Sequence, residues 1–194
     1  METRGEQNRQ RILRAAADLF YHQGYNATSF TDIAQAADIP RGNFYYYFKT
    51  KDEILESVIE MRLEWVREQL KEWTARHTDP RERMCELPGM LLDEADNVVR
   101  YGCPLGTLNA ELGKTHHILQ SAASRLFSDI ADWLTGQFHE LGYNNESRHT
   151  ALHVLSRIQG ATVIANACTD RGFLFREMHD IQDWIRKQSW NTRQ

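Results

Sequence analysis

The sequence predicts an all-α protein, a small three-helix head followed by a larger helical body, with about nine helices in total. Three observations carry that prediction. Apolar residues recur at three- and four-residue spacing through almost every long segment, the period of a half-buried helix. Strand-like alternation is missing, as are the Asn-Gly and Asp-Gly pairs that close hairpins. Gly and Pro fall mostly at points that suit helix starts and stops.

The first helix is expected from about Gln7 to Gln23, where Ile12, Leu13, Ala16, Leu19 and Phe20 form one stripe and Gly24 ends it. The second is short. Ser29 caps it with Asp32 three residues on, a capping box, and Ile33, Ala34 and Ala37 face inward. Asp38-Ile39-Pro40 makes a tight connection, and Pro40 suits the start of a third helix because its missing N–H would be unpaired there anyway. That helix covers residues 41–48. Thr50 and Glu53 open a fourth, roughly Lys51 to Thr74, about 35 Å long at 1.5 Å per residue. The stretch His77 to Pro80 breaks it. A fifth covers about Arg81 to Val99, with Pro88-Gly89 as the expected split or kink. The turn Tyr101 to Gly106 leads into a short sixth helix to about Leu112. The seventh is expected from about His116 to Leu141, the eighth from Ser147 to Thr169 and the ninth from Met178 to Gln188.

With 41% hydrophobic and 26% charged residues, the 194-residue chain has an ordinary globular composition, and its net charge of −4 excludes a generally basic nucleic-acid binder. The distribution is uneven. Residues 1–51 hold seven Lys/Arg against five acids, and the remainder sixteen against twenty-two, so the head would turn toward a polyanion. Cys85, Cys103 and Cys168 are odd in number with no close pair, which points to a reducing compartment. The N-terminus is charged from Glu2, and no apolar run approaches the ~20 residues of a membrane span, so a cytoplasmic protein with no membrane partner is expected. Phosphate-loop, nucleophile-elbow and zincin motifs are missing, and His149 and His153, at i and i+4, have no supporting ligand pattern. No enzymatic activity, metal or cofactor is expected.

The head carries the chemistry. Two short helices joined by a tight turn behind a support helix make a helix-turn-helix. On the third helix Phe44 and Phe48, at i and i+4, anchor inward. Tyr45, Tyr46 and Tyr47 cannot all face one core, because successive helical residues are about 100° apart. Gly42 lets the backbone approach a duplex, Arg41 and Asn43 sit in the first turn, and Lys49 and Lys51 flank the end where phosphates would lie.

The run from Ser29 through Ile33-Ala34 and Ile39-Pro40-Arg41-Gly42-Asn43-Phe44-Tyr45-Tyr46-Tyr47-Phe48-Lys49-Thr50-Lys51 to Leu55, with the preceding Ile12-Leu13, Ala15-Ala16, Leu19-Phe20, Gly24-Tyr25 and Thr28, resembles the signature of the TetR family of transcriptional repressors. The likeness covers about residues 8–60. It implies a DNA-binding domain over residues 1–52, an effector-binding and dimerisation domain over 53–194, and a homodimer reading successive major grooves of a near-palindromic double-stranded operator. By position, Arg41, Gly42, Asn43, Tyr45 and Tyr46 would face the groove. Tyr47 would also touch DNA and Lys51 a phosphate, Thr31 would reach a base or phosphate, and Thr28 and Ser29 the backbone.

The body offers the other two functions in its own terms. The eighth helix is apolar nearly all round, so it must be buried all round. With Ile181, Trp184 and Ile185 of the ninth it would form a four-helix interface between two chains. Trp65, Met90, Cys103, Leu108, Trp133, Asn166 and Trp184 are the candidates to line a small-molecule effector pocket. Cys103 also precedes a helix start, where a thiolate is favoured. The run Gly102 to Glu111 around it resembles a segment of a subgroup that includes electrophile-responsive repressors, which implies a sensor cysteine; a buried structural thiol is the alternative. Constitutive DNA binding without an effector, and a cysteine-dependent enzyme, are the rival readings.

Overall fold

Thr3 starts the first helix earlier than the apolar stripe implies, because its hydroxyl accepts the backbone N–H of Glu6 at 3.2 Å. The computed structural model describes residues 3–115 and 117–189, without the side chains of Arg41 and of residues 114–118. The start expected for the seventh helix at His116 lies outside the described residues. Every long element within them is helical: α1 (Arg4–Gln23), α2 (Phe30–Ala36), α3 (Arg41–Tyr47), α4 (Lys51–Arg76), α5 (Pro80–Asp93), α6 (Ala95–Tyr101), α7 (Pro104–Thr115), α8 (His117–Glu140), α9 (Ser147–Cys168) and α10 (Arg171–Arg186). A single 3₁₀ turn, Asn144–Glu146, precedes α9.

The fifth expected helix is two helices, and the break falls at Glu94 rather than at Pro88. Pro88 is buried inside an unbroken α5. Asp93 and Glu94 explain the position. Two exposed acids at a helix C-terminus oppose its dipole, whereas Glu94 and Asp96 suit the N-terminus of a new helix. Val98 N–H donates to the Glu94 carbonyl at 2.9 Å as α6 begins. The start of α10 was also hidden. Asp170 caps it by accepting the N–H of Phe173 at 2.8 Å, two turns before the expected Met178.

The chain divides into two compact units, Met1–Glu64 with Thr107–Ser124, and Trp65–Gly106 with Arg125–Gln194. The helices α4, α7 and α8 each contribute to both. The boundary expected after residue 52 falls at the second residue of α4.

In the first unit Ile12, Leu13, Ala16 and Phe20 of α1 are buried with Ile33 and Ala34 of α2, and Ile54, Leu55, Val58 and Ile59 of α4 have no exposed surface. In the second unit α10 packs against α5, α6 and α9. Its Leu174, Met178, Ile181 and Ile185 are fully buried there. At about 25 cal/mol per Å² of apolar area removed from water, each such side chain contributes about 1.5–3 kcal/mol. Ile181 and Ile185, expected at an interface between two chains, are thus already buried within their own chain. Trp184 is likewise half-buried within its own chain, against Phe138 and His153.

Candidate nucleic-acid interface

The turn between α2 and α3 is set by Asp38, which takes the left-handed conformation at φ 51°. The backbone N–H groups of Asp38 and Ile39 then return to the carbonyls of Gln35 (3.0 Å) and Ala34 (3.1 Å), a Schellman ending with aspartate in the usual glycine place. Ile39 and Ala34, the apolar positions of this motif, are both buried. Arg11 of α1 donates to the carbonyls of Ala37 at 2.7 Å and Asp38 at 3.2 Å, covering the negative end of α2. The start of α2 is held by the reciprocal bonds of Ser29 and Asp32, at 2.8 and 3.1 Å. Hydrogen bonds from Ser29, side chain first and backbone second, hold the Asp32 carboxyl below its ordinary value.

This scaffold divides α3 into two faces. Phe44 and Phe48 are 1% and 3% exposed, and Phe44 meets Phe30 edge-on with ring centres 4.8 Å apart. The other face is open. Tyr45 and Tyr46 are 54% and 81% exposed, and Gly42 and Asn43 are exposed beside them. A Cβ at Gly42 would meet nothing within 4 Å, so the fold itself leaves room for a side chain there. Tyr47 is half-buried, and its hydroxyl accepts from Asn8 Nδ2 at 3.0 Å. Arg41 begins α3, and its side chain lies outside the described residues.

The flanking candidates are placed differently. Ser29 and Thr31 are exposed at the start of α2. Thr28 is 1% exposed, and its hydroxyl donates to the Gly24 carbonyl at 2.7 Å, so it stabilises the turn from inside. Lys49 is exposed and donates to the Tyr45 carbonyl. Lys51 turns inward: its ammonium donates to the carbonyls of Tyr25 (2.8 Å) and Thr28 (2.9 Å) and lies 4.1 Å from the centre of the Tyr25 ring. Burial and the hydrogen bond to Asp52 push the Tyr25 phenol well up. Thr50 accepts the N–H of Glu53 at 3.1 Å as expected, but the Glu53 carboxylate accepts from Lys49 N–H at 2.7 Å instead of closing the box on Thr50.

Comparison with known proteins identifies the family. Residues 12–58 match the model of the bacterial regulatory proteins of the tetR family. Residues 89–178 match the C-terminal domain of LmrA/YxaF-like transcriptional regulators. The chain belongs to the TetR family. Its relatives include an uncharacterised helix-turn-helix regulator from the lacX 3′ region of Lactococcus lactis subsp. lactis, 29% identical over 86% of this chain and 87% of that one. The regulator LmrA of Bacillus subtilis (strain 168) is 28% identical over 86% and 85% of the two chains. A TetR transcriptional regulator from Legionella pneumophila has a solved structure that superposes with a TM-score of 0.79 at 26% identity, covering 95% of this chain and 98% of that one. This TetR-family chain is therefore a helix-turn-helix transcriptional regulator.

The effector candidates do not converge. Trp65 and Met90 line a cavity of about 20 Å³ in the second unit, together with Trp73, Leu87, Leu105 and Ile130. Trp133 lies instead on a broad, open groove of about 600 Å³, with its indole N–H donating to Thr74 at 2.9 Å and Arg67 bridging to Asp129 at 2.8 Å alongside. Asn166 donates to the Val99 carbonyl at 2.9 Å. Leu108 is buried in the first unit. Cys103 is 6% exposed, with Gln159 Nε2 3.6 Å from its sulfur. Among the described residues no helix is long and apolar enough to cross a membrane.

Proposed function

We propose that this regulator is a cytoplasmic repressor that binds a near-palindromic operator as a homodimer and leaves it when a small molecule occupies the body. The observation that carries the reading is α3: two phenylalanines buried beneath a face of Gly42, Asn43, Tyr45 and Tyr46. In this reading residues 1–52 bind DNA and 53–194 dimerise and sense. Asn43, Tyr45 and Tyr46 face the major groove, and Ser29, Thr31, Tyr47 and Lys49 meet the phosphate backbone at its edge. Thr28 and Lys51 act from within by fixing the turn before α2.

The dimer reading is supported by α9. Leu152, Val163 and Ile164 are 45%, 65% and 50% exposed, and Gly160 and Ala167 are open between them. This is the face that a second copy of α9 would cover, with the polar outer side of α10 at its rim. The effector is proposed to enter by the Trp65–Met90 cavity. At about 20 Å³ that cavity is far below the roughly 300 Å³ of a ligand site, so occupancy requires the helices around it to part. That displacement is the differential interaction needed to shift the population away from the DNA-binding spacing. Modification of Cys103 is the alternative trigger, and its burial requires local opening first.

The test is a compound screen against the preformed complex of the dimer with a duplex it has enriched from a random pool. Release by a compound that also quenches Trp65 fluorescence is expected. A complex that no compound releases, and that survives thiol-reactive quinones equally in wild type and Cys103→Ser, would leave a constitutive DNA-binding protein.

A further inference from the structure

The turn from Gly24 to Ser29, which links α1 to α2, is held by side chains from two other helices. Glu111 of α7 accepts the backbone N–H of Tyr25 at 2.9 Å on one carboxylate oxygen and that of Asn26 at 2.8 Å on the other. Lys51 of α4 donates to the carbonyls of Tyr25 and Thr28. A carboxylate thus takes the turn's donors and an ammonium its acceptors, each charge matched to the backbone group it meets. Hydrogen bonds to charged groups are the stronger kind, and a turn without regular partners needs its polar groups satisfied. Gly24 reports how close the approach is. A Cβ there would lie 3.2 and 3.3 Å from the two Glu111 oxygens, and its φ of +87° independently favours glycine.

The turn leads directly into the recognition machinery. Thr28 ties back to Gly24, Ser29 caps α2, and α2 packs on α3. We infer that Glu111 is a positioning residue for DNA binding: by holding the N–H groups of Tyr25 and Asn26, its carboxylate fixes the attitude from which α2 and α3 meet the duplex. The inference rests on the helix-turn-helix reading above. Glu111 touches no nucleotide in this scheme, and its effect passes entirely through the turn.

The test uses the full chain, with Glu111→Ala and Glu111→Gln beside wild type. Amide hydrogen exchange at Tyr25 and Asn26 is measured on the protein alone. Affinity is measured for the duplex that wild type enriches from a random pool, well below the unfolding temperature. Glu111→Ala is expected to speed exchange at both amides and to weaken the duplex by about tenfold with helix content retained. Glu111→Gln keeps one acceptor oxygen and is expected to fall between, with an unchanged salt slope in both, a graded order that a general loss of folding would not give. Unchanged exchange in Glu111→Ala overturns the inference. So does accelerated exchange with affinity within about twofold of wild type. A wild-type chain that enriches no duplex overturns the helix-turn-helix reading and this inference with it, a failure distinguishable because exchange still reports the two hydrogen bonds.

Discussion

Lys51 and Cys85 show how burial redirects a side chain's chemistry. From sequence, Lys51 sits beside the recognition helix and suggests a phosphate contact. In the fold its ammonium is bound to two carbonyls of the α1–α2 turn. Lys51→Met is therefore expected to destabilise the head by about 1.5 kcal/mol, the lower end for a hydrogen-bonded charge. It should leave the slope of log affinity against log salt unchanged. A slope reduced by about one would assign Lys51 to a phosphate instead. Cys85 lies in the second unit, and burial pushes its thiol from an ordinary 9.0 up to about 12. Above pH 9 the unfolded thiol loses its proton while the native one keeps it, so the unfolded state is favoured and stability declines until the native thiol also titrates. Urea titrations from pH 8 to 11 should show a downward slope in wild type that is shallower in Cys85→Ala. Thiol labelling of the native protein at neutral pH should modify the exposed Cys168 well before the buried Cys85 and Cys103.

At the scale of the element, what was legible in the sequence was local. The Ser29–Asp32 capping box spans three residues, so residue type and spacing alone specify it. Ser29→Ala is expected to cost about 1 kcal/mol in a denaturant titration of the head, with α3 losing its fixed base. The two faces of α3 were legible for the same reason, since Phe44 and Phe48 at i and i+4 leave the tyrosines no common side. Non-local choices were not legible. Pro88 looked like a breaker, yet α5 runs through it, and the break sits where Asp93 and Glu94 change from opposing one dipole to favouring the next. The clasp of Glu111 on Tyr25 joins residues 86 positions apart, and no periodicity marks a carboxylate that will face a backbone turn. The apolar circumference of α9 was legible, but its division was not: Ile158 and Ala165 face the chain's own core while Val163 and Ile164 remain outside. Ile164→Glu is expected to shift the chain from dimer to monomer in sedimentation velocity at micromolar concentration, because a charge in a desolvated interface centre is costly. A dimer that persists would place the interface elsewhere.

For the whole molecule, the effector site was the least legible part because a pocket is a property of several helices at once. The seven candidates are mostly large or polar residues, and such residues also fill ordinary cores. Trp184 against Phe138 and Asn166 against the Val99 carbonyl are of that kind, whereas Trp65 and Met90 share a cavity. The head, by contrast, combines several short-range signals that agree in order and spacing, and consistency across levels is what makes a fold readable. DNA reading by the exposed face of α3 is the proposal on which the function rests. It is tested most directly by selecting duplexes from a random pool with wild type and with the triple variant Asn43→Ala, Tyr45→Ala, Tyr46→Ala, whose changes all lie on exposed positions. Wild type is expected to enrich a near-palindrome with half-sites centred about one helical turn, roughly 34–36 Å, apart or a multiple of it, and the triple variant to keep its helix content and dimer state but to enrich nothing. Enrichment of the same sequence by both proteins would contradict it.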